Sequence, residues 1–173
     1  MKAITLWPEW AWAVACLGKD VENRPRPASF YGLKVGDEFA IHAGAHLGGR
    51  PGATTAADAL SEVAFMAKRA GVLVDYDPRA GAIGHAVGRD YHMLSTRRYP
   101  AQSVVAVATL GACTFNEPSV GGWQVPGQYG FKLVDVRVLD WPVSCSTREY
   151  PGNRQGGWTL PGPVETLVRA RLP

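Results

Sequence analysis

Three charged side chains and two tryptophans stand close together near the start of the chain. Trp7 and Trp10 are followed by Lys19, Glu22 and Arg24, so all five lie within the first 24 residues. A solvated surface has no need of tryptophan, and a dry core does not accept Lys, Glu and Arg without partners. This mixture of residue types therefore predicts the wall of a polar cleft.

Two chemical roles are open for the charged residues. In one, Glu22 acts as a general base on a water molecule, and Lys19 with Arg24 stabilises the developing oxyanion. In the other, Glu22 forms a structural ion pair with Lys19 or Arg24 at the corner between a helix and a strand. Side chains alternate along a strand, so on a regular strand Glu22 and Arg24 face one side and Lys19 faces the other. A shared site therefore requires that Lys19 lie on a helix end or on a bend after Gly18.

Flat aromatic side chains beside cations suit a nucleobase. Stacking of a base on an aromatic ring contributes on the order of 1–3 kcal/mol. Trp7, Trp10 and, after two glycines, Trp158 are therefore candidate binding residues, with core packing as the alternative for each. His42 and His46 are four residues apart, but no third ligand and no HExxH pattern accompany them. We therefore predict no metal site.

The pattern of apolar, glycine and proline residues predicts the elements that position these side chains. Pro8 suits the first turn of a helix and Gly18 its end, and Thr55 with Asp58 predicts a capping box at the start of a second helix. We predict strands at residues 2–7, 21–24, 39–43, 103–115 and 130–139, and helices at 8–17, 55–69, 82–95 and along the C-terminal stripe Val164, Leu167 and Val168.

Length and composition limit the class of protein. The 173 residues predict one domain, and 46% apolar with 19% charged residues is ordinary for a globular protein. Its 20 Gly and 13 Pro, with short runs rich in Val, Ile and Thr, favour a β-rich α+β domain. A net charge of +3 does not by itself predict nucleic-acid binding. The three widely separated cysteines predict reduced thiols in a cytoplasmic protein, and no apolar stretch approaches the ~20 residues that cross a membrane.

Several motifs, in order along the chain, resemble the ASCH domain family of bacteria and phages. They are Trp-Pro-x-Trp-Ala from Trp7, Gly-Lys-x-x-Glu-x-Arg from Gly18, Ile-His-Ala from Ile41, the strand from Gly130 with the following Trp141-Pro142, and Gly-x-Trp-x-Leu-Pro around Trp158. The resemblance implies an α+β fold, a PUA-like small β-barrel with flanking helices. Residues 44–102 have no counterpart in these motifs. We predict that they are a helical insertion in a single ASCH-like domain that spans residues 1–173.

The resemblance also implies a function, which is to bind RNA, DNA or a modified nucleoside. The cleft that it implies is lined by Trp7, Trp10, Lys19, Glu22, Arg24 and His42. The alternative is a hydrolase without a cofactor, either an amidohydrolase on N4-acylated cytidine or a metal-independent ribonuclease. In the amidohydrolase branch a Lys is followed three residues later by a Thr nucleophile, and a separate Glu completes the site. Here Lys19 matches that Lys, whereas Glu22 stands at the Thr position. A third alternative is a protein-interaction module, for which the insertion would carry an exposed apolar patch.

Overall fold

Helices and strands follow one another along the chain around one large sheet. The computed structural model describes residues 1–45, 55–72, 74–79, 82–86, 94–95, 101–117, 122–146, 148–150 and 157–173. Within these residues the helices are α1 (Pro8–Cys16), α2 (Ala56–Arg69) and α3 (Gly162–Ala170), with a 3₁₀ helix at Ala28–Tyr31. The strands are β1 (Lys2–Leu6), β2 (Val21–Arg24), β3 (Glu38–Ala43), β4 (Val74–Asp77), β5 (Ala82–Ala86), β6 (Leu94–Ser95), β7 (Ser103–Phe115), β8 (Tyr129–Ser144) and β9 (Gly157–Thr159).

Six of the strands form a mixed sheet in the order β2-β8-β7-β3-β1-β9. Neighbouring strands are antiparallel except β1 and β3, which run parallel with Thr5 opposite His42. The β7–β8 hairpin shifts register at three places, and such bulges bend a strand. The sheet curls into a half-barrel. Its curvature brings Arg24 on β2 to β1, four places away in the sheet, where Arg24 Nη2 donates to the Thr5 carbonyl oxygen at 2.7 Å.

Alternation of side chains gives the large sheet two apolar faces. One face, which includes Ile4 and Phe39, packs with residues of α1 and the 3₁₀ helix. The opposite face, which includes Ala3 and Val107, packs against α3 through Val168. Helix α1 contributes buried residues to two clusters because it lies between the sheet and α2. This explains why its sequence is apolar on nearly every side.

A smaller antiparallel sheet, in the order β4-β5-β6, follows α2. Helix α2 begins at the predicted capping box, in which the Thr55 hydroxyl accepts from the Asp58 N–H at 3.1 Å. The helix predicted at residues 82–95 is wrong at both of its ends, which form β5 and β6, and residues 87–93 lie outside the described residues. Ile83 lies opposite both Tyr76 on β4 and Leu94 on β6, so β-strand pairing satisfies the backbone of β5, and Gly84 weakens the competing helix. The interpretation of residues 44–102 as an insertion stays a prediction.

The C-terminal half differs from expectation in β9, which was not predicted, in β8 and in α3. Strand β8 extends to Ser144, five residues beyond the predicted end, because Val143 and Ser144 pair with the start of β7. In α3, Val164 and Val168 are buried but Leu167 is exposed. Residues four apart share one face of a helix, and Leu167 lies to the side of that face.

None of the helices in the described residues is long and apolar enough to span a bilayer.

No disulfide joins Cys16, Cys113 and Cys145, all of which lie in the described part of the chain. The Cys113 sulfur instead accepts a hydrogen bond from the Ala28 N–H, at 3.4 Å, which ties the 3₁₀ helix to β7.

Candidate functional site

The end of α1 determines where Lys19 points. The helix ends at Cys16, and Gly18 takes a left-handed conformation with φ of 64°. The Lys19 N–H donates back to the Ala13 carbonyl oxygen at 3.1 Å, so Lys19 belongs to the bend and not to β2. Its Nζ donates to Glu22 Oε2 at 2.6 Å. This is the bend that a shared site of Lys19 and Glu22 requires.

Glu22 lies between two cations. Its Oε2 contacts Lys19, and its Oε1 lies 3.1 Å from Arg24 Nε. The side chains of Lys19, Glu22 and Arg24 are only 2%, 9% and 14% exposed. Burial lowers the pKa of the Lys19 ammonium from its ordinary 10.5, and the Glu22 carboxylate opposes that shift. We call these three residues the charged cluster.

Arg24 bridges two strands on opposite sides of the half-barrel. Besides Glu22, it binds the carbonyl oxygen of Thr5 on β1, the strand next to the far edge of the sheet. Its guanidinium carbon also lies 5.5 Å from the centre of the Tyr31 ring, a cation–π distance. Because Glu22 fixes one side of the guanidinium, the carboxylate determines how Arg24 is presented.

A second group of polar side chains meets at Thr5. The Trp158 Nε1–H donates to Thr5 Oγ1 at 3.0 Å, and Thr5 Oγ1 lies 3.1 Å from His42 Nδ1. His42 Nε2 lies 3.2 Å from the Cys145 carbonyl oxygen. A carbonyl only accepts, so Nε2 carries the proton, Nδ1 accepts, and the Thr5 hydroxyl donates to Nδ1. We call this chain of hydrogen bonds the polar network.

The three candidate tryptophans occupy different environments. Trp7 precedes α1 and is exposed. Trp10 is half-buried, with its ring centre 5.7 Å from Lys19 Nζ. Trp158 is half-buried in the polar network, with its ring edge-on to His42 at 5.3 Å between centroids. Trp10 thus lies beside the charged cluster and Trp158 in the polar network, with Thr5 in contact with both groups, whereas Trp7 lies exposed at the start of α1.

Comparisons with known proteins bear on the fold. No family model and no curated protein matches the chain. Among solved structures, the chain is similar to ASCH from Zymomonas mobilis, at 15% sequence identity and a TM-score of 0.52, over 99% of this chain and 95% of that one. The chain has an ASCH-like fold. This confirms the predicted α+β fold class, and the predicted small barrel is realised here as a half-barrel flanked by α1, α2 and α3.

Thr5 is a residue of this site that sequence reasoning missed. It is a partly buried polar residue on β1, between the buried Ile4 and Leu6. Its backbone carbonyl binds the charged cluster and its hydroxyl belongs to the polar network. The signal available in the sequence was the alternation itself, which puts a polar side chain on the face that otherwise holds Ala3.

The described residues show no metal-binding arrangement. They contain no group of three or more His, Cys, Asp or Glu side chains that could hold an ion. His42 belongs to the polar network, and His46 lies outside the described residues.

Proposed function

We propose that the charged cluster and the tryptophans beside it bind a nucleotide of RNA or DNA, or a modified nucleoside. The charge balance carries this proposal, because Lys19 and Arg24 both pair with Glu22. Asp20, the other carboxylate that acts on Lys19, pairs with Lys132. Arg24 is the more exposed of the two cations. The surplus positive charge there attracts a phosphate or carbonyl oxygen, which a guanidinium binds in its own plane.

The donors of Arg24 support an anionic ligand. Counting contacts with the described residues, Nε faces Glu22 and Nη2 donates to Thr5. The two N–H donors of Nη1 therefore remain to bind an oxygen of the ligand. Trp7 lies two residues after Thr5, whose carbonyl oxygen Arg24 binds. Its exposed ring offers a face on which a base can stack.

The position of Glu22 supports binding more than hydrolysis. A general base takes a proton from water through a free carboxylate oxygen, but Lys19 occupies Oε2 and Arg24 lies against Oε1. Glu22 in this arrangement positions Arg24. Binding is therefore the proposed function. The test described next also detects the two alternatives, hydrolysis of an N4-acylated cytidine and cleavage of RNA.

The test measures binding and turnover in one experiment. Fluorescein-labelled octauridylate is titrated with the protein by anisotropy at several salt concentrations, and uridine monophosphate, cytidine and N4-acetylcytidine serve as competitors. We expect Arg24→Ala to weaken binding at least about tenfold and to reduce the slope of log K against log salt by about 1. Chromatography of the same mixtures detects any cleaved RNA or released cytidine.

The matched control is Arg169→Ala. Arg169 is an exposed arginine on α3 that pairs with Glu165 and Glu38. Its replacement by alanine lowers the net charge by one, as Arg24→Ala does. We expect this variant to bind like the parent protein. An equal loss in both variants would show a general charge effect and would refute the assignment to the charged cluster. Product formation that Glu22→Gln abolishes, with binding retained, would replace the proposal by the hydrolase.

A further inference from the structure

Two exposed phenylalanines lie near the end of β2, outside the charged cluster. Phe30 is 68% exposed and Phe115 is 55% exposed. Neither stands alone: the guanidinium of Arg26 lies 5.9 Å from the centre of the Phe30 ring, and the Phe115 ring lies 4.9 Å from that of Tyr129. We call Arg26, Phe30, Phe115 and Tyr129 the aromatic surface. Grouped exposed aromatic side chains mark an interaction site more often than single ones.

Strand pairing places the aromatic surface beside Arg24. Arg24 on β2 lies opposite Tyr129 on β8, and Tyr129 lies opposite Phe115 on β7. Adjacent strands are about 4.8 Å apart, so the backbone of Phe115 lies roughly 10 Å from that of Arg24. These three residues therefore form a row across neighbouring strands, which begins at the charged cluster.

The chain after β2 returns to the same end of the sheet. Arg26 follows Arg24 by two residues, and the Ala28 N–H then donates to the sulfur of Cys113, two residues before Phe115. Phe30, which stacks with Arg26, follows on the 3₁₀ helix. The Arg26–Phe30 pair thus follows the end of β2 along the chain, and the Phe115–Tyr129 pair lies in register with that end in the sheet.

The chemistry of this surface fits unpaired bases. Each pair offers a π-face, and Arg26 and Arg24 add positive charge for the phosphates that link successive nucleotides. Base stacking on aromatic rings, together with a basic path for the backbone, is how proteins hold single strands without reading their sequence. A double helix keeps its bases stacked on one another and offers no free faces.

We propose that the aromatic surface stacks the bases next to the nucleotide held at the charged cluster, so that the chain takes single-stranded RNA or DNA in preference to a free nucleoside. This inference rests on the proposed function and narrows its ligand. In this inference, Phe30 and Phe115 give the preference for a ligand of several nucleotides, and Arg24 binds a single nucleotide.

The test compares a long ligand with a short one. Octauridylate, octathymidylate and uridine monophosphate are titrated against the parent protein, Phe115→Ala and Phe30→Ala. We expect both octamers to bind the parent at least about tenfold more tightly than the monophosphate. Each alanine variant is expected to lose about fivefold to a hundredfold of octamer affinity and to keep its affinity for the monophosphate. Phe115→Tyr, which keeps an aromatic ring, is expected to bind octamers like the parent.

Trp141→Ala is the matched control. Trp141 is 74% exposed, more than either phenylalanine, and lies twelve residues beyond Tyr129 on the same strand. We expect no change in octamer affinity. Octamer binding unchanged in both phenylalanine variants, or equal affinity of the parent for octamer and monophosphate, would overturn the inference and leave the proposed function standing. A loss of monophosphate binding in Phe115→Ala would also overturn it. Absence of all binding to the parent would instead overturn the proposed function.

Discussion

Glu22→Gln isolates the energetic role of the carboxylate in the charged cluster. The substitution keeps the shape of the side chain but removes the one negative charge between Lys19 and Arg24. Both side chains of the Lys19–Glu22 pair are less than a tenth exposed, so solvent screens the interaction little. Removal of one partner of a buried ion pair costs about 3–5 kcal/mol. At about 2–4 °C per kcal/mol for a chain of this size, we expect the melting temperature to fall by roughly 6–20 °C.

The pH dependence gives this prediction its specific signature. The pKa of Lys19 in the folded chain is below its ordinary 10.5, because burial disfavours the ammonium. Between the folded pKa and 10.5 the unfolded chain therefore binds more protons, and stability rises with pH. Glu22 opposes the effect of burial, so its removal lowers the pKa of Lys19 further. The rise in stability must then begin at a lower pH in Glu22→Gln than in the parent.

Thermal melts followed by circular dichroism measure the melting temperature. Urea denaturation between pH 6 and 10 measures how the free energy of unfolding depends on pH. A double variant, Lys19→Met with Glu22→Gln, provides the control because it leaves no unpaired ammonium in the interior. We expect it to recover part of the stability that Glu22→Gln loses. A decrease in melting temperature of less than about 2 °C would refute the view that Glu22 stabilises the buried Lys19 ammonium. The same pH dependence of the free energy of unfolding in the parent and in Glu22→Gln would also refute it.

Three further predictions concern the scaffold of the site. Thr5→Val removes the hydroxyl of the polar network and should cost about 1–3 kcal/mol in urea denaturation, whereas Thr5→Ser should keep most of that stability. Gly157→Ala should lower the melting temperature, because its Cβ would lie 2.0 Å from the Tyr31 carbonyl oxygen, and Gly162→Ala, where no atom lies within 4 Å, should not. Thr55→Ala removes the capping hydroxyl of α2 and should cost about 0.5–2 kcal/mol; an unchanged urea midpoint would contradict the capping role.

The parts of the site that follow from local sequence could be predicted. A glycine after an apolar helix sets the bend, and the short Lys-x-x-Glu-x-Arg spacing gives the two ion pairs of Glu22. The capping box of α2 is equally local. The contact of Arg24 with Thr5 across the half-barrel and the contact of Trp158 with Thr5 join residues 19 and 153 positions apart. They depend on sheet order and register, which no local pattern specifies.

The same distinction explains why residues 82–95 misled the prediction. Short apolar stretches with glycine are ambiguous between helix and strand, and the partner strand decides. Ile83 finds that partner in β4, which follows α2. Local sequence therefore predicts α2, which has a capping box and an apolar stripe, but not β5, whose structure depends on the neighbouring strands.

The residue at position 22 determines what chemistry the charged cluster can do. In the arrangement that the family resemblance implies for the amidohydrolases, a lysine near a threonine supports a nucleophile, which requires the lysine to accept a proton. A carboxylate in place of the threonine favours the protonated lysine, and it also fixes Arg24, which bridges two strands of the half-barrel. Glu22 offers no hydroxyl nucleophile at this position, and it holds the two cations around one carboxylate. This is the physical reason to expect a binding site at Lys19, Glu22 and Arg24, and to look for its specificity in the aromatic residues around it.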